Sequence, residues 1–178
     1  FGDLIDAIYH GYGRLDGVLH GAGIIEDKFI EDKTLDSFAR VFDTKVRSAC
    51  LLSRKLKLDE LSFLVFFSSI SGRFGNRGQC DYAAANEVLN KLALSLDRQC
   101  PGRVVSINWG PWESGMVSPE LRKQFAQHGV VIVPRSVGRT SLDQELRWGR
   151  KGEVEVLLGG LEAGRPATPP APHAMPSE

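Results

Sequence analysis

The chain has 178 residues, 42% apolar and 25% charged, and its 22 basic and 22 acidic side chains cancel. That length suits one domain, and a balanced charge leaves no electrostatic footprint for nucleic acid or anionic lipid. No apolar run approaches the roughly twenty residues of a membrane span, and Cys50, Cys80 and Cys100, without CxxC spacing, write neither a disulfide framework nor a zinc ribbon.

Strand-length apolar runs alternate with stretches of helical period, the pattern of a parallel sheet flanked by helices. Leu4, Ile5, Ile8 and Tyr9 predict a helix over the first 15 residues, closed by Gly11 and Gly13. Gly17 to His20 predicts a short strand running into Gly21-Ala22-Gly23. Thr34 caps a second helix, Leu35 to about Leu52. Phe63 to Phe67 is continuously apolar, as in a strand buried on both faces, and ends in Ser68-Ser69. A loop with Gly72, Gly75 and Gly78 leads to a third helix, about Asp81 to Arg98, and then a strand from Val104 to Ile107 stops at Asn108-Trp109-Gly110-Pro111-Trp112. A short helix over Ser118 to His128, a helix over Ser136 to Trp148 and a strand over Val154 to Leu158 follow. Residues 161–178 are rich in Pro and Ala and read as an interdomain linker, leaving 1–160 as the domain.

In open α/β sheets ligands sit at the carboxyl ends of the strands. The second helix carries its anomaly there: Leu35, Phe38, Phe42, Val46 and Ala49 define an apolar arc, and Lys45 lies inside it. A lysine on a buried stripe is costly unless it is paired, hydrated or snorkels. On the third helix the stripe is Val88, Leu89, Leu92, Ala93 and Leu96, and Tyr82 and Asn86 fall at its edge, facing the sheet. Singly, an inward Tyr is an ordinary core residue and a Ser after a strand an ordinary cap. Together, ammonium, phenol, hydroxyl and amide suit carbonyl reduction, in which a general acid protonates oxygen.

These residues resemble the short-chain dehydrogenase/reductase superfamily, and within it the ketoreductase domains of type I polyketide synthases. The resemblance is carried by LDGVLHGAGIIED, TKVRSACLLS, FLVFFSSISGRFGNRGQCDYAAANEVLNKLA and SINWGPWESGM. The superfamily's Tyr-x-x-x-Lys is here Tyr82-Ala-Ala-Ala-Asn86, with the lysine upstream as Lys45, an exchange typical of these ketoreductases. The resemblance implies that Tyr82 protonates the carbonyl oxygen, that Ser69 hydrogen-bonds it, that Lys45 lowers the phenol's pKa and contacts the nicotinamide ribose, and that Asn86 helps hold the lysine and a proton-relay water. It implies an NADPH site formed by His20, Gly21, Ala22, Gly23, Lys45, Tyr82, Gly110 and Pro111, and substrate or stereocontrol positions at Asp27, Phe74, Gln79 and Met116. The implied substrate is a β-ketothioester on an acyl carrier protein, the implied partners are neighbouring synthase domains, and the alternative is a non-catalytic reductase-like scaffold.

The implied fold is a partial Rossmann-like parallel sheet flanked by helices and lacking its first strands, because no Gly-rich turn follows a first strand. The phosphate half of the cofactor site is therefore expected upstream of Phe1, and this chain alone is expected to bind NADPH weakly and turn over little. No P-loop or HExxH motif is present, and four scattered histidines suggest no metal site. A cytoplasmic setting is expected, since no export signal opens the chain. Ile25-Glu26-Asp27 stands where D-alcohol-forming ketoreductases carry Leu-Asp-Asp, and Phe74 stands where the opposite class carries Trp. The expected product is the D-configured β-hydroxythioester; chiral analysis of the reduced product checks this, and an L-alcohol would overturn it.

Overall fold

The computed structural model describes residues 1–113, 123 and 130–159. The helix expected at 118–128, Met116 and the Pro/Ala-rich stretch from 161 lie outside the described residues apart from position 123. Among the described residues four strands form one parallel sheet in the order β1 (Gly17–His20), β2 (Phe63–Ser69), β3 (Arg103–Trp109) and β4 (Glu155–Leu158). Among the described residues the helices are α1 (Gly2–Tyr12), α2 (Leu35–Lys55), α3 (Ile70–Phe74), α4 (Cys80–Asp97) and α5 (Arg135–Trp148), with 3-10 turns at Ile30–Asp32 and Leu58–Glu60.

Local chemistry explains the boundaries. Gly13 closes α1 in the left-handed conformation, where its N–H reaches the Tyr9 carbonyl. Thr34 caps α2, its hydroxyl accepting from the Ser37 N–H at 3.2 Å. The expected strands lie within one or two residues of the observed ones. Helix α3 falls where the sequence predicts only loop; it forms because Ser69 accepts from Ser71 N–H at 3.2 Å while Gly75 turns the chain out at its end.

Side chains alternate across the sheet. Leu64, Phe66 and Val104 face Ile5 of α1, Ala49 and Leu52 of α2, and Leu89, Ala93 and Leu96 of α4. Val65, Val105, Ile107 and Trp109 face the other way, toward Leu142 and Leu146 of α5. The crossover from β3 to β4 therefore has the opposite hand to the two before it, since the strand order runs on in one direction while the covering helix changes face.

The expected apolar arc of α2 is rotated. Its buried line is Ser37, Val41, Lys45, Ala49 and Leu52, whereas Leu35 is 89% exposed and Phe38 and Phe42 stack half-buried on its flank. The spacing of the buried line, four residues at each step to Ala49 and three to Leu52, follows from contact with α4 on one side and the sheet on the other. On α4, Val88 is half-buried and Asn90 takes a place on the buried line. No described helix is long and apolar enough to cross a membrane.

At the end of the sheet away from its carboxyl edge, Lys151 Nζ donates to four oxygens: Asp97 O, Asp97 Oδ1 and Cys100 O at 2.6 Å, and Gly102 O at 2.8 Å. It thereby closes the turn between α4 and β3. Replacing Lys151 with Met strands these acceptors in a half-exposed site, and thermal or urea unfolding is expected to show a loss of about 1–2 kcal/mol, a few degrees in Tm; an unchanged midpoint would show that water replaces the ammonium without cost.

Candidate active site

The site lies at the carboxyl ends of β1 and β2, where α2 turns Lys45, and α4 turns Tyr82 and Asn86, toward the strands. Lys45 is 3% exposed, and its Nζ donates to the Phe67 carbonyl at 2.9 Å. Strand β1 ends opposite Phe66, so Lys45 takes the next carbonyl beyond that strand end. It does not snorkel. Burial holds its pKa down, at about 8 rather than 10.5. Gly23 makes the passage possible: a Cβ there would stand 2.9 Å from Lys45 Cε.

Tyr82, on the first turn of α4, lies with its ring centroid 5.5 Å from Lys45 Nζ. Burial pushes the phenol above its ordinary pKa, hydrogen bonding to the Asn86 and Ser69 side chains pulls it back, and the Asp27 carboxylate raises it. Lysine, serine, tyrosine and asparagine thus meet at one place. Ser69 is held there by capping α3. Asn86 is fully buried, donates from Nδ2 to the Tyr82 carbonyl at 2.8 Å, and leaves Oδ1 without a protein partner among the described residues. Gly72 lets α3 lie against this residue, since a Cβ at 72 would meet Asn86 Cβ at 2.9 Å and its backbone at 3.1 Å.

The other expected positions divide. His20 is buried, its Nε2 is 2.7 Å from Ser48 Oγ and its ring meets Phe66 edge-on. Burial first, and the Lys45 charge second, hold its pKa at about 4, so the imidazole is neutral. Gly21 and Ala22 are exposed, and nothing lies within 4 Å of a Cβ built at Gly21. Asp27 is fastened to Gln79, whose Nε2 donates to both carboxylate oxygens at 3.1 and 3.0 Å. Phe74 is 55% exposed. Gly110 is buried and donates to the Leu158 carbonyl at 3.0 Å, while the Pro111 carbonyl accepts from Val133 at 2.7 Å. Asn108 turns inward, away from the site: its Oδ1 accepts from Asn90 at 3.2 Å, in a buried group with Ser68 and with Ser106, which donates to Asn90 at 2.7 Å.

Two residues at the site escaped the sequence reading. Asp81, 1% exposed, accepts the Tyr82 N–H at 2.8 Å, and Lys33 pairs with it. An acidic residue in the first helical turn is a signal for Asp81; Lys33, beside the Thr34 cap, has no periodicity to mark it. Among the described residues no His, Cys, Asp and Glu side chains gather in a group able to hold a metal ion.

A parallel sheet between helices, with lysine, serine and tyrosine at its carboxyl edge, defines a Rossmann-like domain of the short-chain dehydrogenase/reductase type. The family described as "KR domain" matches residues 2–114, and the chain belongs to it. A polyunsaturated fatty acid synthase polypeptide from Thraustochytrium sp. (strain ATCC 26185 / S-3) is 45% identical over 147 residues, covering 83% of this chain and 5% of that protein. Polyketide synthase PksN of Bacillus subtilis (strain 168) is 36% identical over 167 residues, covering 89% of this chain and 3% of that protein. Among solved structures, the ketoreductase PlmKR1 from the first module of phoslactomycin biosynthesis in Streptomyces sp. HK803 superposes with a TM-score of 0.82 at 30% identity, covering 90% of this chain and 36% of that one. The chain thus spans a small fraction of the curated relatives and about a third of the solved ketoreductase.

The buried lysine gives a test with a definite sign. Its folded-state pKa of about 8 lies below 10.5, so between these values the unfolded chain binds the extra proton. The burial cost is thus fully present below pH 8 and is relieved as pH rises toward 10.5. Relative to Lys45→Met, the wild-type chain is expected to gain up to about 3 kcal/mol across that window, read from urea unfolding at several pH values; parallel curves for the two chains would overturn it.

Proposed function

We propose that this chain forms part of an NADPH-dependent β-ketoacyl reductase, which reduces a β-ketothioester presented on an acyl carrier protein to a β-hydroxythioester. The observation that carries this reading is the buried Lys45 ammonium 5.5 Å from the Tyr82 ring, with Ser69 at the end of β2 and the buried Asn86 one turn further along α4. Such a set can place a proton on a carbonyl oxygen while stabilising the charge that develops there.

The residues fit a nicotinamide dinucleotide. Lys45 spends one N–H on Phe67, the Asn86 Oδ1 acceptor is unpartnered among the described residues, and Gly21 and Ala22 present exposed backbone at the end of β1. Lys45 and Tyr82 would hold the ribose next to the nicotinamide, Gly21 to Gly23 beside His20 would border the adenosine part, and Gly110 and Pro111 would border the nicotinamide. When bound, that group supplies hydride to the carbonyl carbon.

In this reading Tyr82 holds the proton at its hydroxyl and gives it to the substrate oxygen. Ser69 orients that oxygen by donating its own hydrogen. Lys45 offsets the phenolate charge that follows, countering the burial that pushes the phenol up. Asp27 and Gln79, fastened together, would line the approach of the acyl chain with Phe74, and Met116 would do so from the lid. The neighbouring domains of a synthase are the proposed partners and the cytoplasm the proposed setting.

The test compares wild type with Tyr82→Phe in the intact protein that carries this sequence, using a β-ketothioester and NADPH. Loss of the proton donor is expected to lower kcat by about 10²–10⁴-fold. Equal rates for the two proteins would favour the scaffold alternative.

A further inference from the structure

One buried ion pair beside the site has no part in the chemistry above. Lys33 Nζ and Asp81 Oδ2 are 2.6 Å apart, with side chains only 3% and 2% exposed. Lys33 Nζ also donates to the Glu26 carbonyl at 2.8 Å, and Asp81 Oδ1 accepts the Tyr82 N–H at 2.8 Å. A continuous relay therefore runs from the Glu26 backbone through two buried charges to the backbone of Tyr82. Two more links run beside it: Gln79 donates to Asp27, and the Lys28 N–H donates to the Gly78 carbonyl at 3.0 Å. On the far side Glu26 is anchored to α2, its carboxylate accepting from Ser37 Oγ and from Arg40 Nε and Nη2, each at 2.8 Å.

Removing two charges from water costs hydration that their attraction does not reliably return, so a buried pair is a poor stabilising device; its better-attested use is to select one arrangement. Here the selected arrangement is specific. Tyr82 sits in the first turn of α4, where backbone N–H groups lack intrahelical partners, and Asp81 fixes the amide of that residue itself. Resting on the reading of Tyr82 as proton donor, we infer that Lys33 and Asp81 are a positioning pair. They lock the backbone at Tyr82 and hold the Glu26 to Lys28 segment against the start of α4, which keeps Asp27 beside the phenol and water away from it.

The pair is tested in the intact protein with Lys33→Met, Asp81→Asn and the double variant. The double variant decides, because it leaves no lone charge buried and so is the one best able to fold. Thermal melting first sets an assay temperature at which each variant is folded. Expected is a fall in kcat for β-ketothioester reduction of about tenfold or more, with KM within about twofold, and a double variant no worse than the worse single one. Asp81→Glu should recover part of the rate.

The second readout needs no turnover. The Tyr82 phenol is titrated by ultraviolet difference absorbance, subtracting Tyr82→Phe in the same background. Its midpoint is expected to fall in the double variant, as water reaches a hydroxyl that burial had raised and the Asp27 carboxylate moves off, the facing Lys45 being unchanged. A folded double variant with wild-type kcat and an unmoved midpoint would overturn the proposal, as would a rate loss that merely tracks the folded fraction while the midpoint stays put. If wild type itself reduces no β-ketothioester, the reading of the site fails, and the midpoint alone still decides the pair.

Discussion

An ammonium group with almost no access to water must find oxygen, and at Lys45 it finds the Phe67 carbonyl at 2.9 Å. Much of the carboxyl edge of the sheet is arranged around that contact. Strand β1 must stop at His20 to leave the carbonyl free, and residue 23 must lack a side chain to let the lysine stem through. Residue 20 must be neutral, which burial and the neighbouring charge together ensure. The phenol of Tyr82 is the group that gains from the arrangement, because in a dry setting a nearby positive charge acts at close to full strength.

The two ends of the sheet solve opposite problems. At the end away from the site, Lys151 spreads its donors over four oxygens of one turn and closes the chain there. At the carboxyl edge, polar groups are buried but left with spare capacity, including Asn86 Oδ1 and the remaining N–H groups of Lys45. Between them the interior side of α4 changes character along its length, from Leu89, Ala93 and Leu96 to Asn86 and Asn90. Asn90, Asn108, Ser68 and Ser106 form a buried hydrogen-bonded layer that a purely apolar core could not supply. Such a layer accepts only one alignment of α4 on the sheet, since any slip would leave several partners unmade.

Much of this was legible in the residues. The four strands announced themselves as apolar runs ending in small or polar residues, and Lys45 betrayed itself as a charge within an apolar arc. The observed line is rotated from that arc because Leu35, Phe38 and Phe42 look like core residues, while the real line includes Ser37, which a hydrogen bond to Glu26 makes cheap to bury. Asn108 closes a strand at the carboxyl edge, where ligands ordinarily sit; its inward direction depends on Asn90, 18 positions away, and Glu155, 47 positions away. Lys33 and Asp81 are separated by 48 positions, and neither has a signal near it in the chain that points to the other. Hydropathy describes a residue and its neighbours in the chain, whereas a buried polar group is explained only by the partner that the fold brings to it.

Glu26, Asp27 and Lys28 are consecutive, yet each is fastened to a different part of the fold: α2, Gln79 and Gly78. Surface loops ordinarily absorb insertions and deletions with little penalty. This one has its anchors in fixed sequence step with one another and with Lys33, so one added or lost residue would put the whole series out of phase. The segment is therefore free to diversify by exchanging side chains but not by changing its length. Variation at this edge of the site is channelled into point substitutions, and grafts from related domains will register only when the number of residues from Gly23 to Thr34 is preserved.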